Sequence, residues 1–298
     1  MNRSARRCCA GAALVLLGCG SRTGLLKPDP DPLAVPDAAP SPPVRSDCTD
    51  LSATLVYVVT IDSRLLSFDP RTNVFAPIGA LACPAAFGGP FSMAVDRRGV
   101  AYVEYESGEL FRVSTKTAKC EPTKWVARHD GFFKFGMGFS TDLGGPRETL
   151  YLASADLAAS PGVTGGQLAR VDLDTFSMEN LGPFSPPLQL AELAGTGDGR
   201  LFTFYSASST PGSTTDVHLA QVDKTTAKLL ADDPLPGVQF GRGWAFGFWG
   251  GDFYLFTAPG GAGSIVTRFR PSDHSLVDVG SFGGVISGAG VSTCAPAF

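Results

Sequence analysis

Hydrolysis of a glycosidic bond with inversion needs two carboxyl groups, one acid and one base, held about 6.5–9.5 Å apart. The sequence offers Glu192 beside the start of a small-residue segment, while Asp96, Asp142 and Asp198 sit in turns at the far end of similar segments. Glu192 is then the only carboxylate at its end, and the pair that this chemistry requires is not assembled. His129, His218 and His274 fall in different repeats and at different positions within them, which suits neither a metal cluster nor a nucleophile–His–acid triad. No GxSxG turn exposes a strained serine. No GxGxxG follows a strand and opens a helix, and Gly260-Gly261-Ala262-Gly263 reads as a loose connection between strands. The expectation is a chain without catalytic residues, cofactor or metal ion.

The elements that must position any site are set by a phrase repeated five times. It reads Ser67-Phe68-Asp69-Pro70-Arg71-Thr72, Arg112-Val113-Ser114-Thr115-Lys116-Thr117, Arg170-Val171-Asp172-Leu173-Asp174-Thr175, Gln221-Val222-Asp223-Lys224-Thr225-Thr226 and, degraded, Arg268-Phe269-Arg270-Pro271-Ser272-Asp273. Asp or Ser at the head of a tight turn accepts a hydrogen bond from the backbone two residues on, and Pro70 and Pro271 preset the next φ. Ahead of each turn runs a strand of period two, such as Leu110-Phe111-Arg112-Val113. A second strand, rich in aromatic and β-branched residues, precedes it: Leu55–Val59, Val100–Tyr105, Leu150–Ala153, Leu201–Tyr205 and Phe253–Phe256. Earlier again come short strands of small residues, Ser92–Val95, Gly136–Phe139, Leu190–Ala194 and Trp244–Phe248, suited to the crowded axis of a ring.

An all-β repeat of roughly 45 to 58 residues marks a β-propeller. Nothing resembling an innermost strand precedes Leu55, yet Val285–Ser292 stands at the C-terminus with no second strand after it. Joining these orphans gives an all-β, five-bladed β-propeller of four-stranded antiparallel blades, the ring closed by the C-terminal strand completing the N-terminal blade. An open run of hairpins, a sandwich or a sixth blade hidden in the longer insertions are the alternatives.

The N-terminus reads as a targeting segment. Arg3, Arg6 and Arg7 precede an apolar run, Cys8–Leu17, too short to cross a bilayer. Leu16-Leu17-Gly18-Cys19 resembles the lipobox of bacterial lipoproteins. The resemblance implies a signal peptide at residues 1–18 and lipidation of Cys19, with two or three acyl chains as a membrane anchor. Residues 19–47 contain Lys27-Pro28-Asp29-Pro30-Asp31-Pro32 and Pro36, Pro40, Pro42 and Pro43, a composition that stays extended as a tether. Residues 48–298 then form the propeller. Loss of residues 1–18 takes the formal charge from −4 to about −7, which argues against nucleic acid as a partner. Gly20 carries none of the acidic signal for retention at the inner membrane, so by analogy with lipoproteins the chain is expected outside the cytoplasm at the outer membrane.

Of seven cysteines, Cys8 and Cys9 leave with the leader and Cys19 takes the lipid. Cys48, Cys83, Cys120 and Cys294 remain, with three possible pairings in an oxidising compartment. Ring topology favours Cys48–Cys294, which replaces the covalent turn that every other blade has and contributes roughly 4–5 kcal/mol by chain entropy. Cys83 and Cys120 then join the outer parts of the first two blades.

In this arrangement the loops into the innermost strands share a face with those joining second and third strands. That face gathers Ser92, Glu104, Tyr105, Glu106, Lys134, Gln189, Tyr205, Phe240, Arg242 and Trp244. Aromatics with Arg and a few carboxylates make a recognition surface, and Ser92, Tyr105, Gln189, Tyr205, Phe240, Arg242 and Trp244 are the candidate ligand-binding residues. Strands such as Leu55-Val56-Tyr57-Val58 running into Asp-containing turns are similar to those of the YVTN and NHL type of bacterial β-propeller. That resemblance implies architecture and extracytoplasmic scaffolding, with no substrate attached. The expected function is a non-enzymatic, lipid-anchored envelope module that binds a protein; a carbohydrate-binding propeller is the alternative, and a hydrolase or lyase a third.

Overall fold

The structure, a computed structural model, describes Cys48 and residues 54–143, 146–154, 166–188, 191–208 and 215–297. The leader, Cys19 with its expected lipid, and the Pro-rich tether lie outside the described residues, as does Gln189.

Among the described residues twenty strands make five four-stranded sheets. Blade 1 comprises β1 (Val56–Thr60), β2 (Arg64–Asp69), β3 (Val74–Ala80) and the last strand of the chain, β20 (Ile286–Val291). Blade 2 comprises β4 (Pro90–Val95), β5 (Val100–Tyr105), β6 (Leu110–Ser114) and β7 (Cys120–Pro122). Blade 3 comprises β8 (Phe135–Thr141), β9 (Glu148–Ser154), β10 (Gln167–Val171) and β11 (Met178–Pro183). Blade 4 comprises β12 (Ala191–Gly195), β13 (Leu201–Ser206), β14 (Val217–Val222) and β15 (Leu229–Pro234). Blade 5 comprises β16 (Trp244–Trp249), β17 (Asp252–Thr257), β18 (Ser264–Arg270) and β19 (Ser275–Phe282). Within every blade the pairing is antiparallel.

The chain is therefore a five-bladed β-propeller, closed by β20 pairing with β1 from Val56↔Val291 to Val59↔Gly288. Cys48 is bonded to Cys294 just beyond that pairing, and Cys83 to Cys120 between blades 1 and 2. Closure hides the edges that an open sheet would leave unpaired.

The repeated turn has the chemistry its residues dictate. Asp69 Oδ1 accepts from the Arg71 N–H at 3.0 Å, Asp172 Oδ1 from Asp174 at 2.9 Å, Asp223 Oδ1 from Thr225 at 2.8 Å, and Ser114 Oγ from Lys116 at 3.3 Å. In the degraded fifth copy Asp273 takes over the role and accepts from Ser275 at 3.0 Å. Each turn then ends on a residue in the left-handed region: Asn73, Ala118, Phe176, Ala227 and His274, with φ between 54° and 60°. Asn73 and His274 are of residue types enriched in that conformation, whereas Ala118, Phe176 and Ala227 are not.

Alternation along the strands builds a separate apolar core between each pair of adjacent blades. Val59, Met93, Val103 and Phe111 fill the space between blades 1 and 2, and Tyr102, Phe135, Phe139 and Leu152 that between blades 2 and 3. Phe204, Phe240, Phe246 and Phe253 do the same for blades 4 and 5. At the axis, β4, β8, β12, β16 and β20 pack side by side in that order and back to β4. Glycine permits the approach: a β-carbon on Gly136 would lie 2.2 Å from the Ala191 carbonyl oxygen, and one on Gly288 would lie 2.8 Å from the Met93 nitrogen. The middle of the axis keeps a cavity of about 10 Å³, at the lower limit for a single water.

The end of the axis where the innermost strands finish is closed by Arg97. Its backbone N–H donates to Glu148 Oε1 at 2.7 Å, and its guanidinium reaches Thr293 Oγ1 at 3.2 Å and Thr141 Oγ1 at 3.1 Å. Thr293 Oγ1 donates to Glu148 Oε2 at 2.7 Å, so blades 1, 2 and 3 meet in one buried polar knot. Burial raises the Glu148 carboxyl, and the Arg97 N–H, the Thr293 hydroxyl and the Arg97 charge oppose that rise. Arg97→Met is expected to lower stability by about 3 kcal/mol, because it leaves Glu148 buried without its cation. Chemical denaturation of Arg97→Met beside Arg97→Met/Glu148→Gln tests this: the second variant should recover part of the loss, and equal losses would show that Glu148 does not depend on Arg97.

Candidate functional site

The opposite end of the axis, where the innermost strands begin, forms a mouth. Phe91 lies at a β-bulge between Pro90 and Ser92, where one extra residue turns a side chain out of the regular alternation. Its ring meets Trp244 edge-on at 5.7 Å and 87°. Trp244 in turn stacks on the fully buried Phe240 at 5.6 Å and 21°. Because β4 and β16 are not neighbours around the ring, the Phe91–Trp244 contact spans the axis. Lys134, on the loop into β8, holds its ammonium 5.0 Å from the Phe91 ring centre.

Next to Phe91 in sequence, Ser92 is fully buried. Its hydroxyl donates to Glu192 Oε2 at 2.9 Å and accepts from the Met137 N–H at 3.2 Å. Glu192 projects from β12, two strands round the ring from β4, and reaches Ser92 where Gly136 lets β8 and β12 close up. The register of β4 with β5 places Glu104 directly across from Ser92. Glu104 is also fully buried, and among the described residues no donor reaches either of its carboxyl oxygens. The Trp244 indole N–H is likewise buried without an acceptor.

Burial pushes the Glu104 carboxyl well above the ordinary carboxylate range, the Glu192 charge adds to the rise, and Lys134 opposes it. Burial raises Glu192 as well, against the Ser92 hydroxyl and the Met137 and Leu193 backbone N–H groups. A carboxyl with a folded pKa above its unfolded value binds more protons in the folded chain, so its contribution to stability falls as pH rises from 4.5 through the folded pKa. Glu104→Gln is therefore expected to raise the urea midpoint at neutral pH, to flatten the decline above pH 4.5, and to leave the midpoint nearly unchanged in more acid solution. Urea titrations across that range check it, and parallel curves for variant and wild type would refute it.

The sequence reading left Glu192 as the sole carboxylate at this end of the innermost strands; the β4–β5 register corrects that by adding Glu104. Asp96, Asp142 and Asp198 do lie in the turns at the far end. Of the candidate binding residues, Ser92, Phe240 and Trp244 come together at the mouth. Arg242 stands exposed at its rim, beside Gly261. Tyr105 turns into the core between blades 1 and 2 against Phe111, and Tyr205 into that between blades 3 and 4 beside His218. Those two do not reach the axis, because alternation along β5 and β13 directs them between blades. Glu104 and Lys134, placed on this face by the sequence, belong to the site with Glu192, and Phe91 joins them. The signal for Glu104 was available as a lone acidic residue in the otherwise apolar strand Val100–Tyr105.

His218 pairs with Asp232 at 3.0 Å and His274 with Asp233 at 3.1 Å, both on the outer part of blades 4 and 5. Among the described residues no three His, Cys, Asp or Glu side chains group as metal ligands would. A surface groove of about 400 Å³ over Thr149, Arg170 and Glu179 is crossed by the Arg170–Glu179 ion pair and offers no reactive group.

No protein-family model matches the chain, and no curated protein matches it. Among solved structures 553 chains match. One is the Dos1 propeller, with a TM-score of 0.42 and 11% identity, covering 80% of this chain and 70% of that one. Another is a luciferin-regenerating enzyme, with a TM-score of 0.42 and 14% identity, covering 77% of this chain and 74% of that one. Neither likeness bears on activity, and the fold rests on the sheet topology itself.

Proposed function

We propose that the chain is a non-enzymatic binding module of the bacterial cell envelope, anchored by lipid on Cys19 to the outer membrane, that engages an envelope protein or glycan over the axial mouth. The observation that carries this reading is the pair of buried, unpartnered polar groups at the mouth, the Glu104 carboxyl and the Trp244 indole N–H. Leaving such groups without partners costs about 1–3 kcal/mol each, which a ligand supplying donor and acceptor would offset. Ile61, Phe87 and Phe133 are exposed on loops of the same face around blades 1 and 2 and give a protein partner apolar contact. Two disulfides suit an oxidising compartment, and the lipobox-like leader supplies a route to it.

The test uses the purified full-length chain with disulfides intact, crosslinked in cell envelopes and screened against envelope glycans. Trp244→Ala is expected to weaken the specific partner about tenfold, as loss of a buried aromatic anchor does, with Arg242→Ala weakening it less. Undiminished binding by Trp244→Ala would move the partner off the mouth. Turnover of a glycoside that Glu192→Gln abolishes would replace this reading with a hydrolase.

A further inference from the structure

We propose that the axial mouth binds one uncharged sugar residue, held by Glu104, Ser92 and Glu192 on its hydroxyls and by Trp244 on its ring face; this rests on the reading that ligands engage the mouth. The two unpartnered groups differ in polarity. Glu104 presents a carboxyl group neither of whose oxygens has a partner, and Trp244 presents an N–H that needs an acceptor. A sugar carries both on neighbouring hydroxyls, together with an apolar C–H face that fits an indole.

The charges around the mouth narrow the class. Lys134 lies close enough to act on Glu104, so an organic cation meets repulsion as well as attraction. An anion meets two carboxyl groups, Glu104 and Glu192, and is tolerated only while both stay protonated. A metal ion finds only those two acidic ligands, with no third His, Cys, Asp or Glu among the described residues. An uncharged ligand with many hydroxyls escapes all three objections.

Access requires the Phe91–Trp244 contact to open. It is a single edge-on ring contact between non-neighbouring strands, and Phe91 sits at a bulge, where regular pairing does not fix its side chain. Phe240 beneath Trp244 is fully buried and stays as the floor on which the indole rests. Glu192 keeps its Ser92 bond in the closed state, so Glu104 is the group that gains most from the ligand.

The experiment titrates the full-length protein by calorimetry with the methyl glycosides of glucose, galactose, mannose and N-acetylglucosamine, and with glucosamine, glucuronate and calcium as charged counterparts. One uncharged glycoside is expected to saturate at one site per chain, at least roughly tenfold tighter than the charged probes. Glu104→Gln should weaken it roughly tenfold, and Trp244→Phe, which keeps an aromatic face but loses the N–H, roughly fivefold. Circular dichroism establishes that both variants fold, and exposed Glu179→Gln serves as the unaffected control. Tighter binding of a charged probe, binding indifferent to both variants, or no saturation by any uncharged glycoside overturns the inference. If no glycoside binds while a crosslinked envelope protein still requires Trp244, the sugar inference falls and the mouth remains the binding face. If nothing that binds requires Trp244, both fall.

Discussion

Removing the Cys48–Cys294 disulfide, by Cys48→Ser with Cys294→Ser, is expected to lower stability by about 4–5 kcal/mol. The bridge spans 246 residues, so it forbids the unfolded chain a very large set of conformations. It also sits where the ring has no covalent turn. In blades 2 to 5 the innermost strand passes directly into the second strand, whereas β20 meets β1 only through hydrogen bonds and the packing of Val56, Val58, Ile286 and Ala289. Cys294 follows Thr293, which holds the Arg97–Glu148 knot, so loss of the bridge loosens that closure too. The matching removal of Cys83–Cys120, which spans 37 residues, should lose about 1.5 kcal/mol less by the same entropy argument. Chemical denaturation of the two double variants decides the matter, with hydrogen exchange reporting early opening of β20. Equal losses, or a protected β20 after the first removal, would show that strand pairing alone closes the ring.

Gly136→Ala is expected to lower stability by roughly 4 kcal/mol, beyond the usual range for overpacking, or to prevent folding. The added β-carbon would stand 2.2 Å from the Ala191 oxygen and 2.6 Å from the Glu192 α-carbon. Both are backbone atoms, so no side-chain rotation relieves the clash, and β8 would have to move away from β12. That movement would draw Glu192 away from Ser92 at the mouth, which couples the fold defect to the site. Gly260→Ala is the comparison: a β-carbon there meets nothing within 4 Å, and the change should stay within about 0.5 kcal/mol of wild type. Thermal and urea unfolding of the pair provide the measurement. A folded Gly136→Ala protein of near wild-type stability would mean that the axis is looser than its backbone contacts imply.

Much of the fold was legible because its determinants are local and repeated. Asp69, Ser114, Asp172 and Asp223 each open a turn by accepting a backbone N–H a few residues on, a chemistry that depends on residue type and spacing alone. The strands ahead of them alternate apolar and polar residues, and small residues mark the axis. Counting these segments leaves the first blade without an innermost strand and one innermost strand over at the C-terminus, which dictates the closure between β1 and β20 and brings Cys48 to Cys294. The left-handed residues Ala118, Phe176 and Ala227 were not legible, since no residue-type preference announces them; the hairpin geometry imposes the conformation.

The site was only partly legible for a related reason. Period-two alternation shows that a strand has two faces but not what each face meets. Glu104 and Tyr105 are consecutive in β5, yet one is turned to Ser92 and Glu192 at the mouth and the other to the core beside Phe111. Which of them serves the mouth depends on the register of β4 with β5 and on how blades 2 and 3 pack. Arg97 likewise reads as one of two arginines in an ordinary turn, but the ring carries it into the axis while Arg98 stays exposed and pairs with the buried Asp96. The repeat, the turn chemistry and the closure of the ring can be read from residue order, because they follow from short-range hydrogen bonding and alternation. Tertiary packing brings Ser92, Glu104 and Glu192 into one buried polar cluster next to Phe91. Glu104 faces Ser92 through the β4–β5 register, but Glu192 joins them from β12, a non-neighbouring strand, across a separation that no local pattern encodes.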